Sequence, residues 1–264
     1  MLIICNGVFK SGSSWLHAIV IEVLRMNKVC IHEVPSSYTN NINSPTTIVE
    51  SKLFDFLENE DYRKRNYITK SHYYQSKTLT RDYDSDIYFL FVERDVRDAI
   101  VSHYHHLKKK YFFIKGFNLY YFFIGRLKAF EILTFNQKYI EAFSDKSFFK
   151  YSEMKTNFES VVLDISSALG LRPLSEEEIS VIKSNTSIKQ MRRKLLSGEA
   201  KYYSTVDTDR DTLIRKGQLG DWLNYFSDSQ KKDIKKIADG KDLFFLKIFY
   251  FILFSVRRRV FRIE

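Results

Sequence analysis

The segment Leu2-Ile3-Ile4-Cys5-Asn6-Gly7-Val8-Phe9-Lys10-Ser11-Gly12-Ser13-Ser14-Trp15-Leu16 constrains this chain more than any other. Four apolar residues run into two glycines and then into a helical apolar pattern, which reads as strand, glycine loop and helix start. Such a turn aims backbone N–H groups and a helix N-terminus at one spot, a geometry that suits phosphate. The spacing Gly7-x-x-x-x-Gly12 imitates a nucleoside-triphosphate loop, but the Gly-Lys-Ser/Thr ending is absent. Ser13 stands where the lysine belongs, and the lysine sits earlier, at Lys10. That displacement points to an anionic nucleotide other than ATP.

A length of 264 residues allows one large core or two modest ones. Only 9 glycines occur, so Gly7, Gly12, Gly217 and Gly220 stand out. The net charge of +10 favours an anionic partner: nucleotide, nucleic acid or acidic lipid. No nucleic-acid motif such as an aromatic RNP strand accompanies it, so nucleic acid is not expected. Cys5 and Cys30 lie in strand-like runs and are expected to be buried free thiols of a reducing, cytoplasmic protein. No signal peptide is expected, because residues 2–5 are too short for an h-region.

Apolar or β-branched runs alternate with helical patterns along residues 2–6, 15–25, 29–32, 48–59, 67–71, 87–93 and 97–109. The alternation predicts an α/β fold, a central parallel sheet flanked by helices with ligand at the carboxyl ends of the strands. Ile87-Tyr88-Phe89-Leu90-Phe91-Val92 is the strongest strand, a continuous apolar run expected to be covered on both faces. Residues 115–143 are helical and very aromatic, 148–151 a short strand, and 157–169 an amphipathic helix ended by Gly170. Ser175-Glu176-Glu177-Glu178 opens a helix with acids in its first turn, and 201–220 is a loop. Residues 1–240 are expected to form one domain. Residues 241–264 are an apolar and basic tail, with Arg257, Arg258, Arg259 and Arg262 after the apolar run 243–254. That run is shorter than the roughly 20 residues that span a bilayer, so it reads either as a final helix on the core or as a membrane-surface contact through 243–262.

Three further segments converge with the loop. Lys70-Ser71-His72 ends the strand of 67–71, where side chains at i and i+2 point into the same crevice. Arg94 leaves the strongest strand where a guanidinium grips phosphate in a fork, unless it pairs with Asp95 or Asp98, and Ser102 follows on the next helix. Arg215-Lys216-Gly217-Gln218-Leu219-Gly220-Asp221-Trp222 brings two cations and a glycine that would cap an anion; a solvated turn is the bland reading.

These residues carry a family resemblance. Lys10-Ser11-Gly12-Ser13-Ser14-Trp15 resembles the 5′-phosphosulfate loop of sulfotransferases that use 3′-phosphoadenosine-5′-phosphosulfate (PAPS). Arg94 and Ser102, eight apart, resemble that family's 3′-phosphate motif, and Arg215-Lys216-Gly217-x-x-Gly220-Asp221-Trp222 its C-terminal signature. Lys70-Ser71-His72 is similar to the segment that carries the family's catalytic histidine. Tyr151-Ser-Glu-Met-Lys155, and Thr186-Ser187 with Met191, resemble the segments near the adenine. The order along the chain also agrees. Phe9 in place of proline and Ile188 in place of an aromatic depart from the pattern.

The resemblance implies sulfuryl transfer from PAPS to a hydroxyl or amine by in-line displacement, releasing 3′,5′-ADP without a metal. His72 would be the base, with Lys10 and Lys70 stabilising charge. Ser11, Gly12, Ser13 and Ser14 would hold the 5′-phosphate, Trp15, Tyr151, Thr186 and Ser187 would sit near the base, and Arg94, Ser102, Arg215, Lys216 and Gly217 would hold the 3′-phosphate side. The acceptor class, whether small molecule, lipid or glycan, and the oligomeric state stay open. His103, His105 and His106 lack a carboxylate or cysteine to complete a metal set. A P-loop-type kinase acting on ATP is the alternative enzyme.

Overall fold

The computed structural model describes residues 1–40, 44–59, 62, 64–79, 81–110, 114, 116–143, 147–197, 214–240 and 248. Its centre is an all-parallel sheet of β1 (Leu2–Asn6), β4 (Tyr67–Ser71), β5 (Ile87–Glu93) and β6 (Phe148–Lys150), in the order β4-β1-β5-β6. A separate antiparallel ribbon pairs β2 (Thr39–Asn40) with β3 (Ser44–Ile48). The helices are α1 (Ser13–Met26), α2 (Leu53–Glu58), α3 (Ser76–Leu79), α4 (Val96–Lys110), α5 (Phe117–Tyr120), α6 (Arg126–Ala142), α7 (Tyr151–Thr156), α8 (Phe158–Ala168), α9 (Glu176–Asn185), α10 (Ile188–Leu196) and α11 (Asp228–Ala238). A π-helical segment, Tyr121–Gly125, joins α5 to α6.

The apolar strands are buried because they face helices on both sides. All five residues of β1 are inaccessible to solvent. Strand alternation sends Leu2 and Ile4, with Phe89 and Phe91 of β5, into one core; Ile3 and Cys5, with Leu90 and Val92, enter the other. The first core packs on α4 and α6 through Ala99, Ile100, Ala129 and Ile132. The second packs on α1, α8 and α9 through Leu16, Val20, Val162 and Ile182. Ser175 caps α9 in a reciprocal capping box with Glu178, as its sequence predicts. Because β4 and β5 flank β1 on opposite sides, the carboxyl ends of these three strands open a crevice at a topological switch point.

Two expectations fail locally. Residues 29–32 form no strand: Lys28 adopts a left-handed φ of 58° and the Val29 N–H returns to the Leu24 carbonyl, so the chain is still closing α1. Cys30 is therefore exposed rather than buried, whereas Cys5 is buried. The segment 48–59 splits into the end of β3, a 3₁₀ turn at Glu50–Lys52 and α2. The 243–254 run apart from Ile248, the arginines that follow it and most of the 201–220 loop lie outside the described residues. Among the described residues no helix is long and apolar enough to cross a membrane.

Ile4 has Thr69 and Phe89 as its neighbours across the sheet. Ile4→Ala is expected to lower stability by about 2–5 kcal/mol in urea titration through lost burial and a residual cavity. Leu163→Ala, at a 39% exposed position, is expected to change it by less than about 0.5 kcal/mol.

Candidate active site

The loop leaves β1 at Gly7, where a side chain would sit 2.8 Å from the Val92 carbonyl and 2.5 Å from Ser11 Oγ, so only glycine lets it lie against β5. Lys10 takes a left-handed φ of 63°, an arrangement that costs a lysine roughly 1–2 kcal/mol. Gly12 has φ 106°, and a Cβ there would meet the Tyr151 ring at 2.5 Å. Gly12 is also the N-cap of α1 and supplies no capping side chain, so the first-turn N–H groups at Ser13 and Ser14 keep their donor capacity beside the crevice.

β4 brings its end to the same loop. Register pairs Cys5 with Lys70 and Asn6 with Ser71. Lys70 Nζ reaches Ser14 Oγ at 3.4 Å, and burial lowers its pKa. His72 Nδ1 bonds the Gly7 carbonyl; a carbonyl only accepts, so Nδ1 carries the proton and Nε2 keeps its lone pair. Desolvation first, then Lys70, push the imidazole pKa down to about 4, with the Gly7 carbonyl opposing. Water still reaches an exposed part of the residue, but Lys70 and Lys10 both act downward, so the ring is neutral at neutral pH.

From β5, Arg94 crosses the loop. Its guanidinium donates to the carbonyls of Lys10 at 3.4 Å and Gln218 at 3.2 Å, and its carbon lies 4.4 Å from the centre of the Tyr151 ring. Neither acid weighed as its partner takes it. Asp95 pairs with Arg97 at 2.5 Å, and buried Asp98 accepts the N–H groups of Gly220 at 2.9 Å and Trp222 at 3.1 Å. Asp98 thus pins the C-terminal segment to α4, and Arg97 adds a guanidinium 3.8 Å from the Trp222 ring centre. Arg215 pairs with buried Asp221, while exposed Lys216 reaches Asp221 at 3.5 Å and so turns back onto its own loop. Gly217 lies against Ile188 and the Tyr151 hydroxyl.

The remaining expected residues take up supporting places. Trp15 meets Tyr151 edge-on at 5.4 Å and Phe158 nearly parallel at 6.3 Å, with the Lys155 ammonium 4.9 Å from its ring. Thr186 is buried and donates to the Ile182 carbonyl at 2.8 Å, and Ser187 caps α10 by accepting from the Gln190 N–H. Ser102 is half-buried on α4, one turn beyond Asp98. His103 meets the Tyr120 hydroxyl at 2.7 Å, and His105 the Tyr225 hydroxyl at 2.8 Å. The sequence reading gave Asp98 no role at the C-terminal segment; its only sequence signal is an acid four residues past a candidate phosphate arginine.

The donor set fits a polyanion. Ser11 Oγ, Arg94 Nε and Arg215 Nε are buried without a hydrogen-bond partner among the described residues. Burial first, then Arg94, Lys70 and Arg215, lower the Lys10 pKa to about 8. A bound polyanion favours the charged lysine and raises that pKa, so binding takes up a proton where the free site has lost one. Calorimetry with 3′,5′-ADP in buffers of different ionisation heat is expected to show proton uptake growing from pH 7 to pH 9, with affinity falling over the same range. Lys10→Arg, whose charge does not titrate, is expected to reduce that uptake to what Lys70 contributes.

The sulfotransferase domain model matches residues 2–243. The chain is 25% identical to cytosolic sulfotransferase 6 of Arabidopsis thaliana over 256 residues, 88% of this chain and 75% of the relative. It is 25% identical to flavonol 3-sulfotransferase of Flaveria bidentis over 258 residues, 89% and 81% of the two chains. Among solved structures, mouse sulfotransferase SULT7A1 complexed with PAP has a TM-score of 0.61 at 19% identity, covering 89% of this chain and 81% of that one, a likeness of fold. A match across almost the whole chain, on the fold whose crevice gathers these cations, decides the assignment: this chain belongs to the sulfotransferase family.

Proposed function

We propose that this enzyme moves a sulfuryl group from PAPS to an acceptor hydroxyl or amine by in-line displacement, with His72 as general base. The observation that carries the reading is the neutral His72 ring, its Nε2 lone pair left free at a loop crowded with cations. As the acceptor oxygen forms its bond to sulfur, the bond from sulfur to the bridging oxygen of the 5′-phosphate breaks, and the acceptor proton passes to Nε2. Proton transfer of this kind contributes about 10²–10⁴-fold. Lys10 and Lys70 offset the charge that grows on the transferring group and the leaving oxygen, as fixed cations do in phosphoryl transfer.

The donor is held by Ser11, the backbone of Gly12 to Ser14, Arg94, Ser102, Arg215 and Gly217, with Trp15, Tyr151, Thr186 and Ser187 on the base side. The buried, unpartnered Nε donors of Arg94 and Arg215 support a second phosphate beside the loop; charge-assisted bonds there are worth roughly 1.5–3 kcal/mol each. Lys216, paired to Asp221, contributes through the shape of its loop. The kinase alternative is not favoured, since Ser13 occupies the position its lysine needs. Likeness to cytosolic relatives supports a cytoplasmic enzyme acting on a small-molecule acceptor, and the flavonol sulfotransferase among them makes phenols the first class to test.

Labelled PAPS incubated with a panel of phenols, sterols, sugars and amines is expected to label one class. With that acceptor, His72→Ala is expected to lose at least about 10²-fold in turnover with 3′,5′-ADP affinity intact, and Arg94→Ala mainly to weaken 3′,5′-ADP. Near-wild-type turnover by His72→Ala would place the base elsewhere.

A further inference from the structure

β4 ends at Ser71, and the chain turns with His72 at its lip. Three consecutive N–H groups follow, and side chains take all of them. The Tyr73 N–H donates to Asn6 Oδ1 at 3.0 Å, and those of Tyr74 and Gln75 donate to Glu50 Oε1 at 3.1 and 2.8 Å. Asn6 also donates from Nδ2 to the Tyr73 carbonyl at 3.0 Å, so it grips one residue through both backbone groups, as a paired antiparallel strand would. The same amide accepts from Ser71 Oγ at 3.2 Å and donates to the Tyr139 hydroxyl. Asn6 and Glu50 are both buried, where losing a partner leaves polar groups unsatisfied. The residue after Asn6 is Gly7, whose carbonyl accepts the hydrogen bond from His72 Nδ1–H. The backbone beside His72 and its ring are thus both referenced to the end of β1.

We infer that Asn6 and Glu50 are positioning residues for His72: they hold the turn of residues 73–75 in register with the loop and so keep the imidazole in its Nδ1–H form with the lone pair on Nε2. The inference rests on His72 being the base of the proposed reaction. Glu50 is not needed for its charge here, because both N–H groups go to one oxygen, which a glutamine amide also presents. Asn6 is needed as donor and acceptor together, which neither aspartate nor alanine supplies.

The test reads the ring directly. In full-length chain carrying ¹⁵N-labelled histidine, long-range ¹H–¹⁵N spectra, with the His72 signal assigned by its loss in His72→Gln, report which ring nitrogen holds the proton. Wild type and Glu50→Gln are expected to show the Nδ1–H form. Glu50→Ala and Asn6→Ala are expected to show a mixture of tautomers and a roughly tenfold to hundredfold loss of turnover, the scale on which partners of a functional imidazole act. Their 3′,5′-ADP affinity is expected to be unchanged. If an alanine variant does not fold, Glu50→Asp, which withdraws the same oxygen by one methylene, takes its place. An unaltered His72 spectrum in the alanine variants, or Glu50→Gln behaving like Glu50→Ala, overturns the inference. The spectrum decides it whatever the nucleotide titration gives; failure of wild type to bind 3′,5′-ADP sinks the donor-site reading instead.

Discussion

Positive charge held against one buried loop is the constraint on which the rest of the crevice depends. Lys10, Lys70, Arg94 and Arg215 lie close enough that each of the others lowers the Lys10 pKa. Of the four, Arg215 has an acid partner in Asp221, while Arg94 spends its donors on the Lys10 and Gln218 carbonyls and stacks on Tyr151. Such crowding costs folding free energy, and the fold sustains it with the sheet beneath. β1 is fully buried, sandwiched between two cores and bonded on both edges, so its carboxyl end is rigid where the loop begins. A polyanion relieves the repulsion that the loop stores.

The supporting contacts share one device, a buried side chain that takes backbone N–H groups. Asp98 holds Gly220 and Trp222, Glu50 holds Tyr74 and Gln75, and Asn6 holds Tyr73. Each fixes a segment that has no strand partner at that point. A side chain can follow an irregular turn that a β-ladder cannot.

This division also explains what could be read from the chain. Lys10, Gly12, Arg94 and Lys70-Ser71-His72 stood out as candidates because phosphate and proton chemistry would demand particular residue types at strand ends, and the central strands were legible because their apolar runs are continuous. Asp98, Asn6 and Glu50 were not, since their partners are backbone groups brought near only by the fold. The β2–β3 ribbon is short and polar and shows no alternation. Residues 29–32 look like a strand by composition, yet the left-handed Lys28 commits them to closing α1. Lys216 matches its motif and also lies 3.5 Å from Asp221, a proximity that spacing alone does not reveal.

The central claim is that Lys10, Arg94 and Arg215 shape the loop for a nucleotide with a 3′-phosphate rather than for a triphosphate with magnesium. Competitive calorimetric titration of 3′,5′-ADP against ATP with magnesium, on wild type and on Arg94→Ala, tests it most directly. The account predicts tighter binding of 3′,5′-ADP by wild type and loss of most of that preference in Arg94→Ala. Tighter binding of ATP with magnesium by the wild-type protein would contradict it.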